Sequence, residues 1–376
     1  MAHDALFTPL KVGPYELAHR VVMGPLTRMR AAADTNAATE LNRQYYEQRA
    51  SAGGLIIGEA SQVDATGRGF PDTPGIHTDE QVTRWRMITD TVHARSGVMF
   101  AQLWHTGRVS TSRYQPGGAP APAPSAIAAA GEAMTPDFRA IPNEVPRALS
   151  TGEIREVVGM YRRGAEAALA AGFDGVELHA GFGYLPAQFL NARSNCREDA
   201  YGGTPQNRAR FVLEIVAELV DVWGADRVAI RMSPFADAND SYDPDPEPTY
   251  RFLTEQLAPV GLAYLHAIEP RPGEPGDRGI STSDFFRAWW PGVIIATSGF
   301  TPGSGASFVT AGRADAISYG RLFIANPDLP ERIRQAAPLN PYDRGTFYGG
   351  GEAGYTDYPT LSATAGWSGH APRTQL

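Results

Sequence analysis

The sequence has very little reactive sulfur and almost no lysine: Cys196 is its one cysteine and Lys11 its one lysine. A single cysteine excludes an internal disulfide, a multi-cysteine zinc site and a cysteine-held iron–sulfur cluster. None of the seven histidines other than His179 stands at metal-ligand spacing from another histidine. We therefore expect no metal centre, and no Schiff-base lysine because Lys11 precedes the first predicted strand.

Long apolar runs and an excess of positive charge are also absent. No apolar run approaches the roughly 18 residues of a membrane span, and no charged-then-apolar leader is recognisable. The formal net charge of -8 argues against nucleic acid or an anionic membrane as the main partner. We expect a soluble, cytoplasmic protein, a monomer or a homodimer, whose partner is a small molecule.

Eight short apolar runs recur along the chain, with helical patterns between them. They span 21–24, 55–59, 98–103, 175–178, 228–232, 262–267, 293–296 and 314–319. Strands that are apolar throughout and alternate with helices are typical of a parallel sheet covered on its outside. Eight such units predict an α/β fold, a single (β/α)8 TIM barrel. A doubly wound sheet would rarely need eight regular units, and its Gly-rich first turn is absent.

The helical patterns fill the gaps between these runs. We predict helices at 36–52, 79–95, 152–171, 207–223, 248–258, 283–290, 302–311 and 328–336. Ser150 and Thr78 stand where helix caps are expected, with Glu153 and Gln81 three residues later.

Two segments break this rhythm within what we predict to be one domain, 1–376. Residues 108–148 follow the third strand and are rich in Pro, Ala and Gly. Because this insertion leaves the carboxyl end of a strand, we predict a lid or rim over the active face. Residues 338–376 are predicted to be a C-terminal extension that packs on the barrel.

Candidate catalytic residues follow the fourth strand, and barrel enzymes carry their chemistry at such strand ends. His179 ends the strand, and Tyr184 follows five residues later on a glycine-bounded turn. A histidine can hydrogen-bond an electron-rich oxygen, and a phenol can give a proton. The pair suits reduction of a polarised double bond if a nearby group supplies hydride. Alternation along the strand also predicts a pair inside the barrel between Glu177 and Arg231.

Glycines follow the last two strands, at Gly299 and Gly320, and Arg321 comes next. Glycine amides on these two loops commonly bind phosphate in barrels, and an arginine adds a bidentate donor. We predict a phosphate site here; the alternative is that the glycines only permit tight turns.

Seven motifs, in order, resemble the Old Yellow Enzyme family over about Leu6 to Leu361. They are Met23–Arg28, Ala101–Arg108, His179–Leu185, Ser194–Gly203, Arg231–Pro234, Tyr319–Leu329 and Tyr348–Pro359. The resemblance implies a barrel that holds FMN non-covalently, takes hydride from NADPH or NADH, and reduces an activated alkene. Enones, quinones, maleimides and nitroalkenes are the substrate types it implies.

The same resemblance implies a role for individual residues. Tyr184 would give the proton, His179 would bind the substrate oxygen, and Trp104 would form a wall of the substrate pocket. Thr27 in place of a cysteine is similar to the yeast and enterobacterial branch of the family. The implied flavin contacts are Pro25, Leu26, Thr27, Ala60, Gln102 and Arg231 at the ring, and Gly299, Gly320 and Arg321 at the phosphate.

The chain departs from the family pattern near the substrate. A second donor, His or Asn, normally stands three residues after the first, but this chain has Phe182. Phe70 stands where relatives often place a tyrosine, and Arg271 lies in a loop that lacks a tryptophan found in some relatives. We expect a more apolar pocket, with Phe182, Phe70 and Arg271 at the substrate.

Two alternatives remain open at this point. One is an FMN-binding barrel with weak or specialised turnover, for example on a natural-product intermediate. The other is a flavin-free barrel lyase or isomerase that uses the phosphate site for a phosphorylated substrate.

Overall fold

Eight parallel strands form the centre of the computed structural model, which describes residues 3–270 and 278–362. The strands are β1 (Val21–Met23), β2 (Leu55–Ile57), β3 (Val98–Trp104), β4 (Gly175–Ala180), β5 (Val228–Met232), β6 (Tyr264–Ile268), β7 (Ile294–Thr297) and β8 (Ala316–Tyr319). Each strand is hydrogen-bonded in parallel to the next, and β8 pairs with β1, so the sheet closes. The predicted TIM barrel is confirmed, and all eight predicted strands are present.

Ten α-helices occur in the described part of the chain. They are α1 (Glu40–Arg49), α2 (Asp79–His93), α3 (Thr151–Ala170), α4 (Leu185–Leu190), α5 (Pro205–Trp223), α6 (Glu247–Leu257), α7 (Thr282–Arg287), α8 (Pro302–Thr310), α9 (Arg321–Ala325) and α10 (Leu329–Arg334). The short helices α4 and α9 were not predicted. Ser150 and Thr78 cap α3 and α2 as expected, each in a reciprocal capping box. Thr39 caps α1 in the same way, so this helix begins four residues later than predicted, at residue 40 rather than 36.

A short hairpin closes the amino end of the barrel. Leu10–Val12 pairs antiparallel with Tyr15–Leu17, and Val12 and Leu17 pack among inward residues of the strands. The Tyr15 hydroxyl donates to the Asp174 carbonyl at 2.9 Å, which ties the hairpin to the strand layer. Because this end is filled, a ligand site must use the carboxyl end.

The insertion after β3 carries its own small sheets. Glu132–Met134 pairs antiparallel with Ala140–Pro142, and Pro122–Ala123 pairs in parallel with Arg147–Ala148. Arg108, only 3 % exposed, joins the start of the insertion to the loop after β5 through Asp240, at 3.2 Å.

Two buried arginines that follow β1, Arg28 and Arg30, hold the segment 346–354, and we call them the arginine anchor. Their guanidinium groups donate to main-chain carbonyls of Thr346, Phe347, Gly351, Ala353 and Gly354. The anchor therefore fixes the segment 346–354 beside the carboxyl end of β1. In residues 3–270 and 278–362, no helix is long and apolar enough to cross a membrane.

Candidate active site

Three inward side chains form a row at the carboxyl end of the barrel. His179 of β4 lies in register with Arg231 of β5, and Arg231 lies in register with His266 of β6. All three are buried, and Arg231 is the most exposed at 7 %. Residues at the same register on neighbouring strands point to the same face, so these side chains share the barrel interior.

Glu177 lies two residues before His179 on β4, on the same face, and is fully paired. Gln102 Nε2 donates to Glu177 Oε1 at 2.6 Å, and His266 Nδ1 lies 2.9 Å from Oε2. Burial would raise the pKa of Glu177, but His266, Arg231 and Gln102 outweigh it and lower that pKa. The predicted direct pair of Glu177 with Arg231 is wrong, because within the described residues its ion pair is with His266.

Arg231 is consequently a buried cation with unused hydrogen-bonding capacity. Its Nε is buried and has no hydrogen-bond partner among the described residues. Burial lowers its pKa, and the nearby Glu177 carboxylate only partly compensates. Since an unpaired buried donor is costly, an acceptor or anion in the barrel mouth would stabilise this side chain.

The tautomer of His179 follows from its surroundings. Burial, then the charge of Arg231, lowers the pKa of His179 well below its usual value, so the imidazole is neutral at pH 7. The Gly181 amide donates to Nδ1 at 3.4 Å, which makes Nδ1 an acceptor and leaves the proton on Nε2. No described residue bonds Nε2, which is therefore a donor ready for a ligand oxygen.

The turn after β4 holds Phe182 in a strained conformation. Its φ is +53°, a left-handed value that bulky residues rarely adopt. Two contacts keep it there: its amide donates to Ser233 Oγ at 2.8 Å, and its carbonyl accepts from Asn239 Nδ2 at 2.8 Å. Its ring lies edge-on to His179, with centroids 6.2 Å apart.

Aromatic rings surround the histidine. The Tyr184 ring lies 5.0 Å from His179 and 5.0 Å from Trp104, near-perpendicular to both. Phe70 stacks on Trp104 at 5.6 Å and 12°. Burial raises the pKa of Tyr184, although Asn239 beside it acts in the opposite direction, so the phenol stays protonated at neutral pH. The structure thus brings His179, Tyr184, Trp104, Phe182 and Phe70 together.

The residues after β1 and β2 fit a flavin ring beside this group. Pro25, Leu26 and Thr27 are only partly buried, although Met23 before them and Arg28 after them are buried. Ala60 follows β2 and is 4 % exposed. With Arg231 Nε as a donor that has no partner among the described residues, this surface suits a planar ring that carries hydrogen-bond acceptors.

The loops after β7 and β8 meet at the predicted phosphate site. Thr297 Oγ1 donates to the Ser318 carbonyl at 3.0 Å, which joins the two strand ends. Gly299 has a φ of +77° and open space where a side chain would begin, and Gly320 directly precedes α9. The Arg321 guanidinium contacts the Tyr342 ring at 5.9 Å, and no carboxylate of the described residues is paired with it. These residues fit a phosphate group.

Sequence reasoning missed four residues around this site. Ser233 and Asn239 hold the Phe182 turn, His266 pairs with Glu177, and Tyr348 lies close enough to raise the pKa of Tyr184. Ser233 and Tyr348 belong to two of the recognised motifs, which could have drawn attention to them. Arg271 lies outside the described residues.

A closed barrel whose mouth holds a neutral histidine, a protonated phenol and an arginine with no described partner for its Nε has the features of a barrel flavoenzyme. The chain belongs to the NADH:flavin oxidoreductase / NADH oxidase family, whose model matches residues 5–340. It is 44% identical to 12-oxophytodienoate reductase 1 of Oryza sativa subsp. japonica over 360 residues, 95% of this chain and 93% of that protein. It is also 44% identical to 12-oxophytodienoate reductase 2 of Arabidopsis thaliana, with 96% of each chain covered.

Solved structures support the same assignment. Morphinone reductase in complex with tetrahydroNAD superposes with a TM-score of 0.89 and 45% identity, covering 95% of this chain and 97% of that one. The predicted family, fold, FMN cofactor, nicotinamide reductant and alkene-reductase class are therefore confirmed. The flavin-free lyase or isomerase is wrong.

Proposed function

We propose that the protein reduces the C=C bond of an activated alkene, an enone, quinone, maleimide or nitroalkene, with His179 binding the substrate oxygen and Tyr184 giving the proton. The observation that carries this proposal is the 5.0 Å contact between the His179 and Tyr184 rings, beside the unpaired Arg231. The relatives named 12-oxophytodienoate reductase and morphinone reductase, both named for ketone-bearing compounds, favour an enone.

When bound, FMN would supply hydride that originates from NAD(P)H. Pro25, Leu26, Thr27, Ala60 and Gln102 are the residues we assign to its ring. Arg231 would face the edge of the ring where negative charge gathers on reduction, because a cation there stabilises that charge. Gly299, Gly320 and Arg321 would hold the phosphate through main-chain amides and a guanidinium group. Thr27 would place the protein in the non-cysteine branch of its family.

His179 binds the substrate through Nε2–H. A neutral imidazole with a fixed tautomer presents one donor to a carbonyl or nitro oxygen and draws electron density from the alkene. Because Nδ1 accepts from Gly181, the ring is held in one orientation without being protonated. Polarisation of the substrate therefore does not depend on the charge state of His179 near neutral pH.

Tyr184 remains protonated until hydride transfer leaves negative charge on the neighbouring carbon of the substrate. Its pKa is raised by burial, so the phenol is fully protonated at physiological pH. Tyr184 is partly exposed beside Trp104 and Phe70. A substrate whose oxygen is bound by His179 can therefore place the alkene carbon that receives the proton next to the Tyr184 hydroxyl.

A specialised enzyme with low activity on simple enones is the second candidate, and Phe182 favours it. Because position 182 carries neither His nor Asn, His179 is the one member of the family's usual donor pair that remains. Removal of one such donor typically lowers the rate by a factor on the order of 10²–10³. An apolar ring beside the substrate oxygen suits a bulky substrate, such as a quinone or natural-product intermediate. Apolar contacts between such a substrate and Phe182 would contribute the binding free energy that the absent donor does not supply.

The deciding experiment is an absorbance spectrum of the purified protein, followed by anaerobic titration with NADPH and with NADH. We expect a yellow protein that either nicotinamide bleaches, and then recovery of the colour on addition of cyclohexenone or a maleimide. Bleaching without recovery by either alkene supports the specialised enzyme. A colourless protein that takes up no added FMN would overturn both candidates.

A further inference from the structure

A cavity of about 460 Å³ lies outside the barrel mouth. It lies between the loops after β1 and β2, the start of α2 and the insertion. We call it the polar cavity and define it by Asp34, Asn36, Gln62, Arg68 and Tyr114. Of the described residues that we assign to flavin or substrate, none lines it. Cavities of a few hundred cubic ångströms commonly hold small ligands.

Two buried amide atoms in the polar cavity are unsatisfied. Gln62 is 1 % exposed, and its Nε2 donates to the Thr73 carbonyl at 3.2 Å, but its Oε1 has no partner among the described residues. Asn36 Nδ2 is likewise buried without a partner within that part of the chain. Because such atoms are destabilising when left unpaired, a ligand that carries both a donor and an acceptor would satisfy them.

Arg68 is the one arginine or lysine among the described residues that line the polar cavity, whose lining also contains the carboxylates of Asp34 and Glu80. Burial lowers the pKa of Arg68, and the charge of nearby Asp72 acts in the opposite direction. Its Nη1 donates to Asn36 Oδ1 at 3.1 Å, and its guanidinium carbon lies 4.8 Å from the centroid of the Tyr114 ring. In residues 3–270 and 278–362, no carboxylate forms an ion pair with it. Arg68 thus remains available to a carboxylate ligand, for which its planar donors are well matched.

We propose that the polar cavity binds a small carboxylate with a hydroxyl or ammonium group on the adjacent carbon. The carboxylate accepts from Arg68 and Asn36 Nδ2, and the hydroxyl or ammonium group donates to Gln62 Oε1. Asp34 and Glu80 at the exposed rim repel anions of higher charge, which selects a monoanion or a zwitterion.

The polar cavity is joined to the active site through the main chain of Phe70. The Phe70 carbonyl accepts from Arg68 Nε at 3.3 Å and from Thr73 Oγ1 at 3.2 Å. The Phe70 ring stacks on Trp104 in the substrate pocket. A ligand that engages Arg68 therefore shifts the balance of contacts at Phe70 and changes binding at the mouth; this coupling, unlike the site itself, rests on the proposed function.

Binding is tested by ligand-observed NMR titration of the FMN-loaded protein with glycolate and with glycine. Acetate lacks the donor and ethanolamine lacks the carboxylate, so they serve as controls. We expect glycolate or glycine to bind below about 10 mM, and both controls to bind at least about tenfold more weakly. Absence of binding by glycolate and glycine, or equal binding by acetate, would overturn the proposal.

Two isosteric substitutions locate the probe. Asn36→Asp keeps the contact with Arg68 and the left-handed φ of +53°, which Asp tolerates, but repels a carboxylate. Asp34→Asn removes one opposing charge at the rim. We expect affinity to fall at least about tenfold in the first variant and to rise in the second; unchanged affinity in both places the probe elsewhere and refutes the site.

The coupling has its own readout. We expect a saturating probe to change the affinity of a phenol for the flavin site, and the phenol to change probe affinity by the same factor. An unchanged phenol affinity refutes the link through Phe70. Since the Asn36→Asp and Asp34→Asn variants assign probe binding to the polar cavity without any alkene turnover, failure of the proposed ene-reductase roles would leave that result distinguishable.

Discussion

The guanidinium carbon of Arg231 lies 5.5 Å from the centroid of the Phe182 ring. A cation over an aromatic face is stabilised by about 0.5–1 kcal/mol at exposed sites and about 2 kcal/mol when desolvated. Phe182 thus supplies a contact to an arginine that otherwise has an unpaired Nε. The residue that departs from the family pattern is joined to the residue we assign to the flavin.

Replacement of Phe182 tests whether this position faces the ligand. Asn suits the φ of +53° and adds a donor, so we expect Phe182→Asn to bind a phenol about tenfold more tightly, with a stronger long-wavelength charge-transfer band. Phe182→Leu is the control, because it removes the ring without adding a donor and should not tighten binding. Equal affinities in the Asn variant and the wild type would mean that the side chain points away from the ligand.

Tyr184→Phe separates the two half-reactions. We expect stopped-flow reduction of the alkene to slow by about 10² or more, because the proton donor is lost. Reduction of the flavin by NAD(P)H should keep its rate. Tyr161→Phe is the control, since Tyr161 is a buried tyrosine in α3, outside the active site. Equal slowing of both half-reactions in Tyr184→Phe would contradict the assignment.

The two ends of the flavin site can be told apart with riboflavin, which lacks the phosphate. We expect Arg231→Gln to weaken both FMN and riboflavin binding, and Arg321→Gln to weaken FMN binding alone. The loss in each case should be about 10–100-fold, as for a hydrogen bond to a charged group. Fluorescence titration of the flavin-free protein measures it. If Arg321→Gln also weakened riboflavin binding, the assignment of Arg321 to the FMN phosphate would be wrong.

Glu59 is expected to make stability depend on pH. It is 1 % exposed, and burial raises its pKa to about 7 even though the Arg28 amide and side chain oppose this. Between its unfolded pKa of about 4.3 and 7, the folded state holds a proton that the unfolded state has lost, so the free energy of unfolding falls as pH rises. The loss across this window is on the order of 3 kcal/mol.

Glu59→Gln provides the comparison, because it cannot titrate. We expect the free energy of unfolding, measured with denaturant and saturating FMN, to decrease from pH 5 to pH 8. This decrease should be larger for the wild type than for Glu59→Gln. Identical pH dependence in the two proteins would show that Glu59 does not titrate in this range.

The barrel could be predicted because its strands are apolar on both faces and its long helices carry local cap signals. Ser150 and Glu153 show this for α3, where the capping box sets the first turn. The helix α4 could not be predicted, since all six of its residues are buried and no polar face marks its period. Helix α9 spans only five residues, too short for a period to show.

The residues of the candidate site could be predicted where their position follows directly from the end of a strand. His179 and Tyr184 were expected at the mouth from their place after β4, and the structure brings them together. The hydrogen bonds of Phe182 to Ser233 and Asn239 depend on residues 51 and 57 positions away, which no local pattern specifies. For the same reason, the choice of His266 rather than Arg231 as the partner of Glu177 was not foreseen.

The arginine anchor also constrains the order in which the protein can mature. Arg28 donates to the carbonyls of Thr346 and Gly354, which are 318 and 326 residues later in the chain. During synthesis on the ribosome, Arg28, which follows Thr27, therefore lacks these hydrogen-bond partners until residues 346–354 have emerged. The structure that follows β1 is thus completed late in synthesis, after the strands of the barrel have been made.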